Sequence, residues 1–152
     1  MSLQTDIESA MRAAMKARDA VRVSTLRLAM AAAHNRQIEL GHELTDAEVV
    51  EVLDRQVKQR RESIELYRGG GRPELAEVEE AEIVILREFL PEPLTDAELE
   101  RLARDAVASS GASSPADMGR VMGLLVPQTK GRADGKAVSD LVRRLLSEGS
   151  AE

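Results

Sequence analysis

Apolar residues recur at intervals of three and four through most of the chain, the period of helices that bury one face. Leu3, Ile7, Ala10, Met11 and Ala14 mark a first helix. Val23, Leu26, Met30 and Ala33 mark a second, which Gly41 stops. Leu44-Thr45-Asp46-Ala47-Glu48-Val49 then forms a complete helix start, with Thr45 as N-cap, Glu48 closing a capping box and Leu44 stapling onto Val49. The third helix is predicted to run to about Arg68. Gly69-Gly70-Gly71-Arg72 reads as a tight interhelical turn, and Pro73 suits the first turn of a fourth helix carrying Leu75, Val78, Ile85, Leu86 and Phe89.

Pro91 and Pro93 end that helix, because proline lacks an amide donor and disfavours helical geometry in the residue before it. The segment Leu90-Pro91-Glu92-Pro93 is therefore a predicted domain boundary, separating a helical body at 1–91 from a smaller domain at 94–148. Leu94-Thr95-Asp96-Ala97-Glu98-Leu99 repeats the earlier start signal almost letter for letter. Helix five is expected to end near Gly111, helix six to run from Ser114-Pro115 to just before Pro127, and helix seven to follow Asp134 with Val138, Leu141, Val142 and Leu145 inward. No strand alternation occurs, so the expected class is all-α, an antiparallel four-helix body followed by three helices.

The composition narrows the chemistry. There is no cysteine, so disulfides, thiol nucleophiles, iron–sulfur clusters and thiolate zinc sites are excluded. No apolar run approaches the length of a membrane span and the first residues carry no apolar leader, which points to a cytoplasmic protein without a membrane partner. The net charge of −6 hides segregation. Arg12, Lys16, Arg18, Arg22 and Arg27 face only Asp19 in their stretch, whereas Glu74 to Glu88 holds six acids against Arg87. From Pro115 to Ser147 the balance turns basic again, through Arg120, Lys130, Arg132, Lys136, Arg143 and Arg144. Tyr67 and Phe89 are the only aromatics, so base stacking is not available and any nucleic acid must be held through its phosphates and shape.

Helices three and four, joined by the glycine turn, should lie antiparallel, which brings Arg60 opposite Glu82. Each interrupts an apolar stripe, so an internal ion pair is expected in preference to a catalytic one. His34 and His42 are eight residues apart and do not have the spacing of a metal pair. No nucleophile elbow or phosphate loop is present, and neither catalytic residues, a metal nor a cofactor is expected.

The run Met118-Gly119-Arg120-Val121-Met122-Gly123 places two glycines in a short helix, each weakening it by about 1 kcal/mol relative to alanine. Such a pair lets another backbone approach, either helix seven or a nucleic-acid strand. Lys130-Gly131-Arg132-Ala133-Asp134-Gly135-Lys136 is a glycine-punctuated loop feeding a helix N-terminus. Its amides and basic side chains could hold phosphates, although a solvated basic loop, with Asp134 capping the helix, is the simpler reading of composition alone.

These two runs resemble the signature of the GatB/YqeY family. Met15-Lys16-Ala17-Arg18-Asp19, Ser24-Thr25-Leu26-Arg27, Leu44-Thr45-Asp46, Lys58-Gln59-Arg60, Glu80-Ala81-Glu82-Ile83 and Leu90-Pro91 also resemble stand-alone YqeY-like proteins, in order and spacing. The resemblance implies that the small domain is similar to the tail of GatB, the subunit of the tRNA-dependent amidotransferase that contacts tRNA. Gly119, Arg120, Gly123, Lys130, Gly131, Arg132 and Lys136 are then expected to meet RNA. An amidotransferase or an aminoacyl-tRNA synthetase becomes a possible protein partner, with Lys16, Arg18, Arg22 and Arg27 as an adaptor face unless they pair with the acidic fourth helix. The family also carries a label of carbon–nitrogen ligase with glutamine as amido donor. GatB's large catalytic part has no counterpart in 152 helical residues, so the expectation is an accessory protein that is non-catalytic alone.

Overall fold

The computed structural model describes residues 2–150, which form helices and connecting turns without a strand among them. In order these are α1 (Leu3–Ala17), α2 (Ala20–Leu40), α3 (Asp46–Gly69), α4 (Pro73–Arg87), α5 (Asp96–Ser110), a single 3-10 turn at Pro115–Asp117, α6 (Met118–Thr129) and α7 (Gly135–Ser150). The chain divides into two compact units, Met1–Pro91 and Glu92–Glu152.

In the first unit Ile7, Leu26, Ala29, Val49, Leu53, Val57, Leu86 and Leu90 form one buried cluster contributed by all four helices and the residues that follow α4. Local chemistry sets where the helices start. Ser2 caps α1 by accepting from the Thr5 amide, and Asp19 caps α2 by accepting from the Arg22 amide. Thr45 and Glu48 form the reciprocal capping box that opens α3. Gly71, at φ 73°, turns the chain from α3 into α4, a left-handed geometry that costs glycine little.

Arg60 and Glu82 meet across α3 and α4, with Nε donating to Oε2 at 2.8 Å. Arg60 is buried, and its Nη1 also donates to the Gln56 side chain at 2.9 Å and to the Gln56 carbonyl at 3.2 Å. The buried face of α4 differs from the one its apolar pattern predicts. Ala76 and Leu86 are buried, whereas Val78, expected on the inward stripe, is 48% exposed. The small Ala76 side chain occupies the buried position.

The second unit packs Ala103, Ala106, Val121, Leu125, Val138, Val142, Leu145 and Leu146 together, drawn from α5, α6 and α7. Thr95 caps α5, but Glu98 behaves differently from its counterpart Glu48. It accepts from the Thr95 hydroxyl at 3.1 Å, while Glu48 accepts from the Thr45 amide at 2.9 Å. Near-identical letters thus make a closed box in one unit and a side-chain contact in the other.

Helix six departs from expectation at its end. It continues through Pro127 to Thr129. Pro127 is exposed and falls in the last turn, where its missing amide removes one internal bond, the one that would reach the Gly123 carbonyl. The buried faces of Val121, Leu125 and Thr129 continue past it, and this packing outweighs the absent bond.

Candidate nucleic-acid interface

Along α6 the inward residues Val121 and Leu125 are fully buried, which leaves Gly119, Arg120 and Gly123 on the solvent side. A methyl group built on Gly119 or Gly123 would find no atom within 4 Å outside the local helix. Helix seven therefore does not fill the space these glycines leave, and close packing between helices is not their explanation. Lys130 lies eleven residues beyond Gly119, three helical turns further along nearly the same line, and is exposed. Gly119 and Gly123 thus lie on an open line along α6 that continues through the exposed Val126 to Lys130.

Arg120 flanks this line, with its side chain exposed and its guanidinium held by contacts within the unit. Its Nη2 donates to Asp117 at 2.6 Å and its Nη1 to the Ser110 carbonyl at 3.3 Å. Asp117 also accepts from the Ser113 amide at 3.0 Å. That backbone bond first, and the Arg120 contact second, hold the Asp117 carboxyl below its ordinary range.

The loop from α6 to α7 is organised by glycine. Gly131 is buried and stands at φ 75°, which lets the Arg132 and Ala133 amides both return to the Thr129 carbonyl, at 2.9 and 3.0 Å. Arg132 is turned into the unit. Its Nε donates to the Glu92 carbonyl at 2.9 Å, and its own carbonyl accepts from the Leu94 amide at 2.9 Å. The side chain expected to meet RNA thus ties the first residues of the second unit to this loop. Asp134 immediately precedes α7 and its carbonyl accepts from the Val138 amide at 3.0 Å, while Lys136 is exposed in the first turn of that helix. The long reach of Arg132 to Glu92 had no signal in the sequence, because nothing local distinguishes a cation aimed at solvent from one aimed at a distant carbonyl.

The matched family is described as Yqey-like protein and covers residues 4–146. The chain belongs to this family. Among its relatives, an uncharacterized protein of Schizosaccharomyces pombe is 35% identical over 91 residues, 60% of this chain and 74% of that one. A Pyrenophora tritici-repentis protein named altered inheritance of mitochondria protein 41, mitochondrial, is 28% identical over 147 residues, 95% of this chain and 78% of its own length.

Elsewhere in the YqeY-like chain some of the charges sit in structural contacts. Arg22 pairs with Glu88 and Arg12 with Glu8. Lys16, Arg18 and Arg27 are exposed and make no ion pair among the described residues, so the basic face of α1 and α2 is only partly consumed by the acidic fourth helix. His34 and His42 are both exposed, and the His42 Nδ1 lies 2.8 Å from the neighbouring Glu43 carbonyl. No group of three or more potential metal ligands occurs among the described residues. No helix among them is long and apolar enough to cross a membrane.

Proposed function

We propose that this YqeY-like protein is a tRNA-binding accessory factor that acts through its second unit and does no chemistry of its own. The observation that carries the reading is the open glycine track of α6, ending in Lys130 and flanked by Arg120. Two helix-weakening glycines with nothing packed over them are accounted for by a backbone that comes from outside the chain. A phosphate backbone fits, since the neighbouring side chains are cationic and the chain has almost no aromatics to stack bases. The resemblance of these residues to the GatB tail supports tRNA as the RNA in question. Lys136, in the first turn of α7, adds a cation where helix amides favour anions. A cytoplasmic location belongs to the same proposal.

The test is a titration of the full chain against total tRNA at several salt concentrations. Binding should weaken steeply with salt, and Lys130→Glu with Lys136→Glu should lower affinity and flatten the slope by about one unit for each phosphate no longer neutralised. Absent or salt-insensitive binding overturns the proposal. Arg132 is unsuited to charge reversal, because its side chain also holds Glu92.

A further inference from the structure

The turn between α1 and α2 is built around Arg18, the only described residue other than glycine with a positive φ, at 57°. Its amide closes α1 by donating to the Ala14 and Met15 carbonyls. A left-handed conformation costs an L-residue about 1–2 kcal/mol and glycine almost nothing. Local backbone geometry thus favours glycine at this position, and strain retained at a position where a simpler residue would relieve it points to a use for the side chain.

The surroundings indicate what that use is. Arg18, Arg27, Met15, Val23 and Leu28 line an open groove of about 610 Å³. Met15 is 52% and Leu28 55% exposed, and neither arginine has an ion-pair partner among the described residues. The groove is too open to enclose a small molecule, which would ordinarily bury most of its surface in the site. Apolar floor between unpaired guanidiniums fits a helix that sets small apolar residues between carboxylates.

The chain itself displays such a helix. With Ala76, Glu82 and Leu86 turned toward the unit's interior, α4 presents Glu74, Glu77, Val78, Ala81 and Val84 on its outer side, within about a third of its circumference. Val84 is 66% exposed and Glu77 has no partner among the described residues. We propose that the α1–α2 groove receives the outer face of α4 from a second copy of the chain, and that the exchange is reciprocal. A two-fold arrangement buries each surface twice, since the groove of either copy takes the α4 of the other. Arg18 and Arg27 then meet Glu74 and Glu77, while Met15 and Leu28 cover Val78 and Val84. The contact is independent of the RNA reading, which rests on the other unit.

Sedimentation velocity of the full chain, from roughly 1 to 200 µM, should show a concentration-dependent dimer that weakens as salt rises. Arg18→Glu with Arg27→Glu, and separately Glu74→Lys with Glu77→Lys, should each give a monomer with unchanged helical circular dichroism. An equimolar mixture of the two variants should dimerise again, because the reversed groove meets the reversed helix while the other contact keeps its natural charges. Leu28→Ser with Val84→Ser should weaken the dimer at least tenfold without altering charge. A monomer throughout that range, a dimer surviving either charge reversal, a mixture that stays monomeric, or open-ended growth with concentration each overturns the proposal.

Discussion

Arg60 and Glu82 share a 2.8 Å contact between α3 and α4, with the guanidinium buried and the carboxylate about four-fifths covered. The pair stands between two apolar stripes, where an isolated charge is costly. Glu82→Ala leaves Arg60 buried with Gln56 and a carboxylate 4.0 Å away, so unfolding free energy should fall by about 3 kcal/mol. Joint replacement by Arg60→Met and Glu82→Leu should recover much of that decrease, because well-packed apolar residues can replace a buried pair. Chemical denaturation of the two variants against the parent chain provides the measurement.

Glu79 lies three residues before Glu82 on α4, partly buried beside the same guanidinium. Burial first, and the neighbouring Glu82 carboxylate second, push its pKa above the ordinary range, while Arg60 at 4.0 Å offsets only part of this. Geometry alone would describe Glu79 and Arg60 as an ion pair, but Glu82 holds the Nε at the closer distance, and burial together with the Glu82 repulsion outweighs the attraction to Arg60. For a carboxyl whose folded pKa is raised, the stabilising effect is complete below the unfolded pKa and is lost as pH rises through the folded one. Glu79→Gln should therefore raise the thermal midpoint at neutral pH, and the gain should vanish in acid.

Asp117 supplies a complementary dependence in the second unit. Its lowered pKa means a contribution present above the unfolded value and lost as pH falls through the folded one. Asp117→Asn should lower stability at neutral pH and remove part of the acid sensitivity of residues 92–150. Amide exchange at Ser113, whose N–H donates to Asp117, reports this site directly.

The glycines of α6 and the following loop should separate stability from function. Gly119→Ala and Gly123→Ala meet open space in a helix, so each should stabilise the second unit by about 1 kcal/mol. On the proposed function, the same substitutions should weaken tRNA binding. Gly131→Ala faces a positive φ and should instead destabilise by about 1 kcal/mol. Thermal melts paired with the tRNA titration distinguish the three.

The two start signals also predict unequal responses. Glu48 closes a box on the Thr45 amide, while Glu98 only accepts from the Thr95 hydroxyl. Thr45→Ala and Thr95→Ala should each cost about 1 kcal/mol. Glu48→Ala should cost more than Glu98→Ala, as measured by urea denaturation.

What the sequence determined by itself is what depends on near neighbours. Helical period, the caps at Thr45 and Thr95, the glycine stop at Gly41 and the turn at Gly71 all arise from interactions within a few residues, and each is found in the folded chain. The Arg60 and Glu82 pair was readable because a short turn makes the facing register of two helices arithmetic. Tertiary structure decided the rest. It turned Val78 outward, carried α6 through Pro127, drew Arg132 onto Glu92 and left Gly119 and Gly123 uncovered. In each case the deciding atoms are far along the chain or absent from it, and spacing within a helix carries no information about what lies opposite its outer face.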